Sequence, residues 1–64
     1  MNAMAEEAAR VSRYREKAEE CRSLADRMSD RLAREAFLEV GKSYERLADQ
    51  AEEKLRFMRR AAHG

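Results

Sequence analysis

Along the first half of the chain, apolar residues recur at Val11, Tyr14, Ala18, Cys21, Ala25 and Met28, at alternating steps of three and four. A 3.5-residue period lays one apolar stripe along an α-helix. The second half repeats the pattern at Ala33, Phe37, Val40, Tyr44, Leu47 and Ala51, with Leu55 beyond. The two stripes do not join. Carried forward, the first would run through Leu32, Glu35, Glu39, Lys42, Arg46 and Asp49, of which all but Leu32 are charged. The offset from Met28 to Ala33 is five residues, whereas a continuous coiled coil absorbs insertions of three or four. The pattern therefore predicts two helices, about 5–28 and 30–60, with a turn near 28–30. Ser29 is the expected N-cap of the second helix. Asp30 follows in its first turn, where the helix dipole favours a carboxylate.

Folding the chain back at residue 29 pairs Ala25 with Ala33, Cys21 with Phe37, Ala18 with Val40 and Tyr14 with Tyr44. Beyond these come Val11 with Leu47, Ala8 with Ala51, and Met4 with Leu55. Every layer is apolar or aromatic on both sides, and most set a small residue against a large one, the alternation that lets facing positions interdigitate. The expected fold is all-α: an antiparallel two-helix hairpin forming a single domain over 1–64, with 57–64 as a basic C-terminal tail. Its core would be Val11, Tyr14, Ala18, Cys21, Ala25, Ala33, Phe37, Val40, Tyr44, Leu47, Ala51 and Leu55. Exposed pairs at helical spacing, Asp30–Arg34, Glu52–Arg56, Glu19–Arg22 and Glu39–Lys42, would add a few tenths of a kcal/mol each.

Composition agrees with this. The 64 residues hold no proline, 42% are charged and only four are aromatic, so the helices are long and the core narrow. A chain this small is marginal on its own. A second apolar set, Leu24, Leu32, Ala36, Leu38 and Ala48, lies off the hairpin stripe. A stripe broadened in this way suits more than two helices. The expectation is a homodimer completing a four-helix bundle, or a helical protein partner in the place of the second copy. The N-terminal MNAMAEEAAR lacks the charge and apolar run of a signal peptide, and no stretch is long and apolar enough for a membrane span, so a cytoplasmic location is expected.

The residues carry little catalytic chemistry. Cys21 sits in the stripe and reads as a small buried hydrophobe. Tyr14 and Tyr44 read as one packing layer, with Gly41 beside them admitting a close approach. The lone histidine, His63, stands near the C-terminus and no Glu-x-x-His pair exists, so no di-iron set is expected. Neither a nucleophile–base spacing nor a glycine-rich phosphate loop is present. No enzyme activity, cofactor, metal or small-molecule substrate is expected. The net charge is +1, yet residues 54–64 hold Lys54, Arg56, Arg59 and Arg60 with no acid. These four form a candidate anion-binding tail for nucleic acid or an anionic membrane surface. The plainer account is that cations near a helix C-terminus complement its dipole. The leading expectation is a non-enzymatic protein–protein assembly module, with a small regulatory protein acting through its basic tail as the alternative.

The runs YREKAEECRSLADRMSD (14–30) and SYERLADQAEE (43–53) resemble a group of short, uncharacterised alphaproteobacterial proteins. These share a Tyr-Arg-x-x-Ala-Glu-Glu-x-Arg-x-Leu-Ala run, a Ser/Thr-Asp turn and a Tyr-Glu-x-Leu-Ala run. The resemblance covers roughly residues 12–55 and implies the hairpin, but no activity. Relatives in that group carry proline after the turn aspartate; Arg31 stands there in this chain, leaving the turn less rigidly defined.

Overall fold

The computed structural model describes residues 2–63 as two α-helices, α1 (Ala3–Arg27) and α2 (Arg31–His63), packed on each other. They run antiparallel, with Tyr14 against Tyr44 near the middle and Glu7 beside Lys54 towards the free end. The hairpin measures 51 × 17 × 12 Å. At 1.5 Å per residue α1 is about 37 Å long and α2 about 50 Å, so α2 overhangs its partner. Residues 57–63, expected as a tail, are a continuation of α2; the tail's last residue, Gly64, lies outside the described residues.

Each helix start is capped by a side chain. The Asn2 side-chain oxygen accepts from the backbone N–H of Met4 (2.9 Å) and Ala5 (3.2 Å), which starts α1 two residues earlier than the stripe alone suggests. At the turn, Met28 is extended and closes α1. Asp30, and not Ser29, caps α2: its carboxylate accepts from the Ala33 N–H at 2.8 Å, and its carbonyl from the Arg34 N–H at 3.0 Å. The Arg34 guanidinium donates to the Met28 carbonyl at 3.0 Å, spanning the turn. Asp30 and Arg34 therefore do not form the expected ion pair, because each is engaged by the backbone.

The seam of α1 follows its predicted stripe. Ala18, Cys21 and Ala25 are buried, and Val11, Tyr14 and Met28 half-buried. The seam of α2 runs through Ala33, Phe37, Gly41, Tyr44, Ala48, Ala51, Leu55 and Met58. Two expected core residues are displaced: Val40 is 46% exposed and Leu47 39% exposed. Their neighbours Gly41 and Ala48 take the seam, so Ala48 belongs to the hairpin interior and not to the outer set. The reason is closeness of approach. A Cβ built on Gly41 would lie 3.3 Å from the Cys21 Cβ and 3.5 Å from the Ala18 carbonyl oxygen. A Val at that position would force the helices apart. The predicted layers hold at Tyr14–Tyr44, whose ring centroids are 6.3 Å apart, and shift where Cys21 meets Gly41. The fully buried positions are alanines, and no large side chain is fully buried among the described residues.

Candidate functional site at the faces and free end of the hairpin

Two helices side by side have two broad faces, and here the faces differ in chemistry. On α2, relative to the seam residues Gly41 and Ala48, one residue forward is about 100° around the helix in one direction, and one residue back the same angle in the other. Asp49 lies forward; Val40 and Leu47 lie back.

The forward face is ionic. Arg15 of α1 reaches three carboxylates of α2: Glu45 at 2.7 Å, Asp49 at 3.2 Å and Glu52 at 3.1 Å. Arg22 donates to the second oxygen of Glu45 at 2.9 Å and also pairs with Glu19. Glu45 is thus gripped by two guanidiniums. Their hydrogen bonds, that of Arg22 first and Arg15 next, hold its carboxyl below the usual carboxylate range, partly offset by desolvation. Arg15 is raised mainly by Glu45, and Arg22 by Glu19 and then Glu45. Glu52 therefore pairs across the seam and not with Arg56, as helical spacing had suggested; Glu19–Arg22 and the long Glu39–Lys42 pair (3.8 Å) form as expected. Leu38 borders this face, lining a hollow with Arg22, Gly41, Lys42, Glu45 and Arg46.

The other broad face is apolar over its middle and turn-side parts. That character is supplied by Val40, Leu47 and Ala36 of α2; across the seam, by the same helical geometry, α1 places half-buried Leu24 there beside the exposed Lys17–Glu20 pair (3.6 Å). Leu47 shares a shallow hollow with Tyr14 and Ala51. Of the five residues expected to form an oligomer interface, Leu24 and Ala36 lie on this face. Leu32 (65% exposed) is on the back of α2, Leu38 borders the ionic face, and Ala48 is in the seam. Towards the free end, the apolar character is interrupted by Glu7. This carboxylate is only 5% exposed and is held by Arg10 at 2.9 Å and Lys54 at 3.6 Å. Glu7 occupies a stripe position, three residues after Met4 and four before Val11, which is the one signal of its burial in the sequence.

At the free end the four tail cations separate. Lys54 turns to Glu7, whereas Arg56, Arg59 and Arg60 stay on another side of α2. Among the described residues no His, Cys, Asp and Glu side chains cluster as a metal-ligand set, and no helix is long and apolar enough to cross a membrane. Comparison with known proteins gave no match to a family model, a curated protein or a solved structure.

Proposed function

We propose that this chain is a non-enzymatic helical assembly module, in which two copies join through their apolar faces as a four-helix bundle. The observation that carries the reading is the contrast between seam and face: alanines fill the seam, while Val40 and Leu47 stand exposed beside it. Burying a Val or Leu side chain contributes about 1.5–3 kcal/mol, so the face is where further stabilisation is to be found. A second copy fits for two reasons. Under twofold symmetry the same patch serves both partners, and residues from both helices meet their equivalents. The whole broad face measures 51 × 17 Å, so a bundle that covers it along its length, the polar free end forming the rim, reaches the roughly 800 Å² per partner of a standard specific interface. The ionic faces are then left in water, where mixed charge keeps the assembly soluble.

The test is solution mass by light scattering over a range of concentrations, with helicity followed alongside. Wild type is expected at twice the 7.5 kDa chain mass. The double substitution Val40→Glu, Leu47→Glu is expected at the single-chain mass. A wild-type chain that stays monomeric and fully helical at every concentration would sink the proposal. A monomer of weak helicity would reassign the face to a different helical protein.

A further inference from the structure

We infer that the free end of α2 is a binding site for the phosphate backbone of nucleic acid, carried by Arg56, Arg59 and Arg60. These residues are spaced i, i+3 and i+4, so they occupy one side of the helix, and His63 takes the next position on that side. The three arginines line one hollow with Glu53. None of the three is within 4.0 Å of an acidic group of another described residue, Glu53 included. Of the eight arginines elsewhere, Arg10, Arg15, Arg22 and Arg31 pair with acids and Arg34 and Arg46 donate to Met28 and Ser43; Arg13 and Arg27 have no such partner, but they stand singly and form no row. A planar guanidinium fork matches phosphate oxygens two at a time, so an unpaired row of three is suited to a phosphate chain.

The helix dipole accounts for Arg60 and His63 in the last turn but not for the whole row. Its influence falls off within the last turn, and Arg56 stands two turns before His63. Nor does α1 cover the site. Arg56, Arg59 and Arg60 are exposed, and Asn2, Ala3 and Met4 lie instead beside Phe57, Met58, Ala61 and Ala62. That same packing decides between nucleic acid and a membrane. The apolar groove at the free end and the arginine row lie on opposite sides of α2, about 170° apart by helical geometry. A lipid surface would draw on that apolar groove, which Asn2, Ala3 and Met4 partly cover, whereas a nucleic-acid strand needs only the arginine side. The site does not depend on self-association, because a dimer joined through the Val40 and Leu47 face leaves this row in water.

The experiment is fluorescence anisotropy of labelled 20-nucleotide single-stranded and duplex oligonucleotides with the full chain, between 50 and 200 mM salt. Three phosphate contacts predict a log–log salt slope near 2.7 on duplex, an affinity loss of about 40-fold across that range. The triple substitution Arg56→Gln, Arg59→Gln, Arg60→Gln should weaken binding at 50 mM by at least about ten-fold with unchanged helicity. Each single substitution should lower the slope by about one. Arg13→Gln, Arg27→Gln, Arg46→Gln removes the same charge elsewhere and should retain affinity within about three-fold, since those positions make no phosphate contacts in this proposal. Absence of binding at 50 mM, equal losses in both triple variants, or binding to phosphatidylserine vesicles that oligonucleotide does not compete would each overturn the inference. Inorganic phosphate at the same ionic strength should not displace the oligonucleotide beyond its salt effect; specific displacement would overturn the polymer reading in favour of a small-anion site.

Discussion

The two broad faces of this hairpin share one seam and differ in how they use it. On the ionic face, Arg15 and Arg22 tie α1 to Glu45, Asp49 and Glu52 of α2, so the middle of that face is bonded within the chain. On the apolar face, Val40 and Leu47 remain 46% and 39% exposed, with apolar surface left uncovered. The difference teaches where the chain's stability comes from and where the proposed association would come from. Cross-seam ion pairs on a surface orient the helices and set their register, but such pairs contribute little net energy. Apolar groups contribute more, provided that something covers them. The seam between the faces is narrow because its residues are small, so neither face is dispensable.

The strongest way to break the comparison is to remove what both faces rest on. Leu55 is the large aliphatic residue most deeply set in the seam, at 5% exposure. Leu55→Ala should cost about 2–5 kcal/mol and lower the melting temperature by more than about 10 °C, as followed by circular dichroism. Retention of wild-type melting would mean that the free end of the seam is already open in solution. The double substitution Val40→Glu, Leu47→Glu separates the faces instead. In wild type the melting temperature should rise with protein concentration, because association stabilises the folded state by mass action. In the double variant that dependence should vanish while the ionic face is untouched.

The turn tests how finely the boundary was legible. The sequence predicts a chain reversal at 28–30, and the structure has one, because a five-residue break between stripes leaves no continuous helix. The cap is one residue later than expected, since Ser29 and Asp30 are both good capping residues and only the backbone geometry selects between them. Asp30→Ala should therefore cost about 1 kcal/mol and Ser29→Ala close to nothing. The reverse order in urea melts would restore Ser29 as the cap. Along α1 the stripe reads correctly because every seam position but Glu7 is apolar. Along α2 it slips at Val40 and Leu47, because a 3.6-residue helix permits either of two adjacent rows and hydrophobicity favours the larger side chains. The deciding factor is size. Gly41 lets the backbones approach and a score of apolarity passes over it. The cross-seam ion pairs were not legible from spacing within one helix, since Arg15 and Glu45 are thirty residues apart. The row of Arg56, Arg59 and Arg60 was visible as charge, but its separation from Lys54 depends on where Glu7 lies.

The smallest effect is on the ionic face, and it is the one that pH and salt can isolate. Glu45 is held below its ordinary range by Arg22 and Arg15, so its contribution is fully present above the ordinary carboxylate value and is lost as pH falls through the lowered one. The relevant window is acidic, below about pH 4.3, where an unperturbed glutamate would already be half protonated. Glu45→Gln keeps the side-chain shape and removes the charge that both guanidiniums share. It should lower the melting temperature at neutral pH by less than Leu55→Ala does, and the deficit should shrink both as pH drops through that window and as salt rises to 1 M. The apolar face predicts the opposite response to salt, because screening does not weaken hydrophobic burial and excluded salts such as sulfate strengthen it. A wild-type dimer whose mass survives 1 M sodium sulfate, alongside a Glu45→Gln deficit that disappears there, would assign register to one face and association to the other. A dimer that dissociates in high salt would instead mean that charges hold the copies together, and the ionic face would become the interface.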